Sequence, residues 1–559
     1  MNQLVLWLPA ISLISALLTH LLGDVLGRSV VKISIVGAAA VLALSACLLG
    51  FSLLGGDPHL HMIGASWGGL LFDPLSALMA LMIAGVSFLV RVYSIRYMAE
   101  EPGYVRFFVL LDVMTACLLI MIAAGDLVTL IISWHLIGLL LYFLLGHDTR
   151  SHPAYRYGFW SLMICRLGDL PLVMAALLLF HNYDSWWLPE IFEKIAAAPD
   201  ALTFLDLPVV EVAGGLVALS AFARSAQFLL HTWLPYAMEG PTPVSALMHA
   251  GIVNAGGILI NRFAPVYVHT DGVLHWVFVV GLFTAIIGSV LMLSQNDVKK
   301  SLGYSTMGQM GFMVMECGVG AFSLAIFHLI AHGLFKGTMF LSAGGVIGEA
   351  RHDDGVPKED LYTFIVERRS PAYKQPWLIM AVTTLAVPIF VLFLSHWVIA
   401  PDLFQKQGAV VLLFFGWVTG AQLLFSTYHM GVQNPWRLVG LIIVSFVIVV
   451  IGYTLISHTL DRFLYPNPEF VVQLYRAASI DILSFSVLVS ITALVIVVGW
   501  LRVYYQHRHR RDENRSSGSL WLNFYALISR EFYINDFYAG LYRSLLSLSS
   551  RLNILLRWG

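Results

Sequence analysis

Two stretches of this chain place proton-carrying side chains in otherwise apolar sequence. Ile326 to Gly344, IFHLIAHGLFKGTMFLSAG, carries His328, His332 and Lys336 at i, i+4 and i+8. On a helix that spacing stacks them on one face as a column about 12 Å tall. Imidazole titrates near neutrality and a desolvated lysine is pushed toward it, so such a column suits proton hopping through water. Three structural hydrogen bonders in a tight bundle are the other reading; three titratable groups in register on an apolar helix favour the relay. The second stretch, Ser225 to Gly251, is SAQFLLHTWLPYAMEGPTPVSALMHAG. Arg224 precedes it, Gln227 and His231 lie in its first half, Pro235, Pro241 and Pro243 interrupt it, and His249 follows in the next apolar run. A proline turn at a helix end explains the prolines alone. Ionisable groups on a broken helix at membrane depth are costly unless they line a hydrated or protein-buried path, and such a path is expected here.

Other polar groups in apolar runs are His135, Arg166, Asp169, Asp112 and Glu316. Arg166 and Asp169, three apart on one helix, could pair as a structural link or serve a relay, and the spacing does not choose. Asp112 and Glu316 are expected near the interfaces, and Asp73, before Pro74, is expected to cap a helix. The four cysteines (Cys47, Cys117, Cys165, Cys317) stand singly in apolar runs, which argues against disulfides, zinc and thiol chemistry. Neither a nucleotide-binding loop, nor a nucleophile triad, nor a haem ligand pair is present, so no cofactor and no catalytic residue are expected.

These groups need helices to hold them. Hydrophobic residues form 58% of the 559-residue chain and charged ones 12%, too little polar surface for a soluble protein of this length. The net charge of −1 gives no reason to expect nucleic acid. Apolar windows able to span the bilayer fall near 4–22, 30–55, 72–95, 106–124, 126–146, 159–181, 208–231, 243–262, 274–294, 300–318, 321–347, 375–397, 408–428, 437–458 and 479–504. The expected fold is therefore an all-α polytopic membrane protein of about 15 transmembrane helices. The first window lacks a basic leader and reads as a spanning helix, not a cleaved signal. Basic residues cluster at alternate helix ends: Arg28 and Lys32, Arg91 with Arg96 and Arg106, Arg150 with Arg156, Lys299 with Lys300, Arg351 to Lys374, and Arg502 to Arg515. The opposite loops carry Lys194, Arg262, Lys406, Arg462 and Arg476. That asymmetry predicts the N-terminus outside and the C-terminus in the cytoplasm. Residues 1–504 are expected to form the membrane domain and 505–559 a basic, amphipathic cytoplasmic tail, either a surface helix or a docking segment. The charged loop from Glu349 to Lys374 is another candidate contact surface.

Taken in order, FDPLSALM (Phe72–Met79), YSIRYMAEEPGYVRFF (Tyr93–Phe108), the Arg166/Gly168/Asp169 cluster, the SAQ…MHA stretch, QNDVKKSLGYSTMGQMGFM (Gln295–Met313) and the His328/His332/Lys336 helix cover residues 70–350. They resemble the antiporter-like proton-translocating membrane subunits of respiratory complex I and of Mrp sodium/proton antiporters. The resemblance implies a bundle of inverted repeats with broken helices, the first of them around Pro235. It also implies a proton path through the positions of His135, Asp169, Arg224, His231, His249, His328, His332 and Lys336, with Arg166 in a pairing role.

The departures are informative. Where the family has a glutamate after tryptophan, this chain has His135 after Trp134; where it has a lysine before SAQ, this chain has Arg224. Arginine does not release its proton in proteins, so Arg224 can bias its neighbours but cannot relay. His135 or His249 would then titrate, with Asp169 a partner for Arg224. The family's charged motif is absent from Trp377 to Trp397, and the chain ends soon after REFYINDFY (Arg530–Tyr538), before a long lateral arm. These features look more like the DabB-type membrane subunits of bacterial inorganic-carbon-accumulating (DAC, or DAB) complexes. That likeness implies a non-enzymatic proton-conducting subunit in the cell inner membrane. Its expected partner is a large, soluble or peripheral, DabA-type zinc subunit resembling a carbonic anhydrase, at the cytoplasmic face. A redox-driven pump subunit, a sodium/proton exchanger subunit and a non-conducting scaffold are the alternatives.

Overall fold

In the computed structural model, the residues described are 2–54, 61–62, 68–350 (except 149, 204–205, 238–239 and 296), 455–479 (except 457), 487, 494, 523 and 526–556. The loop 351–374 and most of the four expected helices after residue 374 lie outside them, as does the whole basic run after Tyr504. Eleven helices of 16 residues or more follow in chain order up to Ala350: α1 (Asn2–Leu21), α2 (Val31–Leu53), α3 (Pro74–Tyr97), α4 (Tyr104–Ile122), α5 (Leu127–Leu145), α6 (His152–Tyr183), α7 (Val209–Arg224), α8 (Thr242–Arg262), α9 (Val273–Ser294), α10 (Val298–Gly318) and α11 (Phe322–Ala350). Two more, α12 (Pro468–Ala477) and α13 (Ile534–Leu556), lie further along. Among the described residues nine helices are long and apolar enough to cross a membrane. The two others, α7 and α10, are shortened or made polar by residues the site uses.

Local chemistry sets the helix starts. The Asp73 carboxylate accepts from the Ser76 amide at 2.9 Å and Pro74 opens α3, the expected cap. Asp126 does the same for α5 through Thr129 and also accepts from the Gly69 amide, both at 2.8 Å. Asp297 caps α10 through Lys300. Gly69–Leu70 pairs antiparallel with His61–Met62 beside the Asp126 cap. The outer wall is apolar, with Trp7, Val36, Leu89, Ile132, Val279 and Phe335 exposed, while serines, threonines and asparagines turn inward. Exposed apolar walls around a polar interior fit a protein whose solvent is lipid.

Several charged groups sit deeper than expected. Asp112 is 1% exposed and paired with Arg91 at 2.7 Å. Glu316 is 3% exposed, inside the bundle. Neither lies at an interface, because each has a cationic or imidazole partner on a neighbouring helix. Arg91 is correspondingly withdrawn from the loop charges that fix orientation. So is Arg262, which reaches Asp73 at 2.5 Å and donates to the Ile122 carbonyl.

Candidate proton path

The break comes directly after α7, upstream of Pro235. Ala226 and Leu229 take left-handed backbone (φ 49° and 74°), so the helix cannot continue. The freed groups are satisfied by side chains. The Trp233 indole donates to the Ala223 carbonyl at 3.1 Å, Thr284 accepts from the Phe228 amide at 3.0 Å, and Ser225 donates to the Val253 carbonyl at 2.7 Å. Pro235 then sits in a single turn, Trp233–Tyr236, and α8 restarts at Thr242 behind Pro241. Unwound backbone at this depth is tolerated only with such replacement partners.

Within α8 the segment Met248–Ile252 is a π turn, and it carries His249. π turns recur where a side chain must be re-aimed for function. The His249 ring is fully buried and stacks on Phe340 of α11 at 4.3 Å. α11 packs along this turn and brings the expected column to it. His328, His332 and Lys336 do share one face, with the first two rings 6.4 Å apart. Both His249 and His332 lie in the field of Lys336.

The facing wall is α10, and its contribution was not read from the sequence. Glu316 Oε2 lies 3.1 Å from His328 Nδ1, Gln309 Oε1 lies 3.0 Å from His328 Nε2, and Ser305 accepts from Lys336 Nζ at 2.7 Å. Ser305 and Gln309, one turn apart on α10, are the available signal. Lys336, 3% exposed, has no carboxylate within 4.0 Å among the described residues, so no counter-ion locks its charge. His231, His249 and His332 are buried, and neither nitrogen of any of the three has a hydrogen-bond partner among the described residues. Leaving each such group dry costs about 1–3 kcal/mol. The four orphaned imidazole nitrogens of His249 and His332 beside Lys336 therefore call for water, which is also the medium of proton hopping.

A second cluster lies across α5, α6 and α7. Asp169 Oδ2 is 3.0 Å from both His135 Nδ1 and Arg166 Nη1, and Oδ1 is 3.6 Å from Arg224 Nη2. Arg224, 1% exposed, also donates to the Trp134 carbonyl at 2.7 Å and stacks over the Trp134 ring at 4.6 Å. Room for two guanidinium groups comes from Gly138: a Cβ there would sit 3.3 Å from Arg224 Nη1 and 2.6 Å from Arg166 Nη2. Arg166 and Asp169 thus pair, and Asp169 also partners Arg224. The His135 side chain is 52% exposed, on the outer wall beside a cleft of about 220 Å³ lined by Ile131, Ile132, Leu136 and Leu172. His231 joins neither cluster; its ring lies against Phe228 (5.7 Å) and Tyr304 (6.3 Å).

The sequence profile described as "NADH:quinone oxidoreductase/Mrp antiporter, TM" matches residues 124–422, more than half of the chain and the whole of this site. The chain belongs to that antiporter-like membrane family. A second profile, the N-terminus of complex I chain 5, matches residues 65–108. The chain is 57% identical over 554 residues, 99% of each chain, to the "Probable inorganic carbon transporter subunit DabB1" of Halothiobacillus neapolitanus. It is 35% identical to "NAD(P)H-quinone oxidoreductase chain 5" of Synechocystis sp., covering 73% of this chain but 62% of that one. Among solved structures, the Mrp complex from Dietzia sp. superposes with a TM-score of 0.60 at 23% identity, over 99% of this chain and 60% of that one. The archaeal membrane-bound sulfane sulfur reductase gives 0.56 at 16%, over 95% and 97%. These two likenesses establish the antiporter-like fold of a multi-pass membrane protein.

Proposed function

We propose that this chain is the proton-conducting membrane subunit of a complex that accumulates inorganic carbon. In this reading, protons run down their gradient through the broken α7–α8 segment, His249, and the His328/His332/Lys336 column. The flow is coupled to carbon dioxide hydration by a zinc-bearing, carbonic-anhydrase-like partner at the cytoplasmic face. The carrying observation is the column itself: a buried lysine without a counter-ion, faced by Ser305, Gln309 and Glu316, beside imidazoles with unmade hydrogen bonds. The identity of 57% to a probable inorganic carbon transporter subunit supports the cargo of the complex. One charge crossing 100 mV supplies about 2.3 kcal/mol, which biases a protonation step about fifty-fold. The basic loops favour a C-terminus on the cytoplasmic side in the inner membrane.

The test is bicarbonate accumulation in cells carrying Lys336→Ala or His332→Ala at normal expression and assembly. Each variant is expected to lose most uncoupler-sensitive accumulation; full accumulation by both overturns the relay. The 35% identity to a quinone oxidoreductase chain favours a second reading, a redox-driven pump subunit. Stable co-purification with iron–sulfur and quinone-binding subunits, in place of a zinc protein, would select it. His135 and Arg224, standing at the resemblance's glutamate and lysine positions, weigh against it.

A further inference from the structure

Beyond this path, one buried carboxylate has no part in the mechanism above. Arg530–Tyr538 folds back onto the broken segment. Tyr538 Oη donates to the Leu229 carbonyl at 2.8 Å, its ring meets Trp160 edge-on at 5.4 Å, and Phe532 meets Phe228 at 6.3 Å. Glu531, Phe532 and Tyr533 all take left-handed backbone (φ 55°, 56°, 57°), three consecutive non-glycine residues. Each costs of order 1–2 kcal/mol, so the contacts that hold this strap dictate its conformation. Its effect is to bury Glu531, which is 7% exposed.

The groups facing Glu531 come from three elements. Tyr236 Oη donates to Oε2 at 3.1 Å, and Asn535 Nδ2 donates both to the carboxylate and to Tyr236 Oη, the latter at 2.6 Å. Tyr304 of α10 neighbours the same carboxylate, and its buried hydroxyl has no hydrogen-bond partner among the described residues. Around this set stand Lys300, 5.0 Å over the Tyr236 ring, Tyr157, stacked on Tyr236 at 5.0 Å, and Asp536. No lysine, arginine or histidine is within 4.0 Å of the Glu531 carboxylate among the described residues. On the far side, Tyr304 borders His231, whose two nitrogens have no partner there. A buried carboxylate held by hydroxyl and amide donors, and not by a cation, is built to change protonation state rather than to bind a salt-bridge partner.

We infer that Glu531 is the carboxylate that passes protons between the end of the bundle and His231, through water that satisfies the Tyr304 hydroxyl and the His231 nitrogens. Water delivers a proton to the carboxylate. The acid gives it to water at the Tyr304 hydroxyl, that water passes a proton on to an imidazole nitrogen of His231, and Glu531 returns to carboxylate. This assignment rests on the reading of protons as cargo, and it makes the strap part of the conducting machinery.

The experiment uses the full-length chain, with the subunits that co-purify, in liposomes containing a pH-sensitive dye. A potassium-diffusion potential drives flux, measured from pH 5 to 8 for wild type, Glu531→Gln, Glu531→Asp and Lys336→Ala. Glu531→Gln keeps the shape and hydrogen bonds of the strap; it is expected to lower flux at least about tenfold and to change its pH profile. Glu531→Asp is expected to retain flux with a displaced profile. Wild-type flux in Glu531→Gln, with flux lost in Lys336→Ala, overturns the Glu531 assignment alone. A loss in Glu531→Gln by one factor at every pH overturns it too, since that is the mark of a structural role. A wild-type protein that passes no protons overturns the conduction reading and this inference together.

Discussion

Arg91 and Asp112 form a buried ion pair in which every side-chain nitrogen and oxygen has a hydrogen-bond partner. Asp112 accepts from Arg91, Ser15 and Ser34, and Arg91 also donates to Thr115. Asp169 differs: its Oδ1 and the neighbouring Arg166 Nε lack hydrogen-bond partners among the described residues. Complete satisfaction marks a structural pair, while incomplete satisfaction marks a place where protonation or water changes during function. Asp112→Asn should therefore damage the fold, because Arg91 stays buried without its counter-charge; the expected loss is about 3–5 kcal/mol. A thermal melt in detergent followed by tryptophan fluorescence would read it. A midpoint unchanged within a degree would show that the pair holds nothing together.

At the scale of elements, α9 and α10 form the closest pair in the bundle. A Cβ on Gly311 would fall 2.8 Å from the Gly281 carbonyl oxygen and 2.9 Å from the Thr284 carbonyl carbon, which is backbone that cannot yield. This contact fixes α10, and α10 carries Ser305, Gln309 and Glu316 to the column. Gly311→Leu is expected to separate the pair and reduce both yield of folded protein and proton flux severalfold, whereas Gly215→Ala, at an open position, should change neither. Gel-filtration yield and liposome flux measured side by side decide this; normal values for Gly311→Leu would contradict the packing argument.

Most of this level was legible in the sequence. The expected windows agree with α1 to α6 and α8 to α11 within a few residues, except that α6 begins seven residues earlier, at His152, because apolar runs of spanning length have few other solutions in lipid. The window 208–231 ran too far, since hydropathy does not register the left-handed Ala226 and Leu229 that end α7. Likewise His328, His332 and Lys336 announce themselves by spacing, but their partners on α10 depend on which helix packs opposite. Glu531 was invisible: nothing in REFYINDFY says that it folds back onto residues 229–236.

Across the whole molecule, the two clusters occupy different walls. One joins α5, α6 and α7; the other joins α8, α10 and α11. On the proposed reading they are stages of one route, and stages in series are not additive. A variant combining Asp169→Asn with Lys336→Ala should conduct no less than the weaker of the two single variants. Flux measured in the three proteins on the same liposome preparation checks this, and a product of the two separate losses would place the clusters on independent routes.

The π turn at Met248–Ile252 has a consequence far from His249. It inserts one surplus peptide into α8, and so sets the rotational phase of everything after it. Without that peptide, residues 253–262 would swing by about 100° around the axis. Asn254 would then leave the Leu329 carbonyl, and Arg262 would lose Asp73, Ser76 and the Ile122 carbonyl together. A single irregular turn thus aims an imidazole at the column and, about three turns later, moors the far end of the same helix to α3.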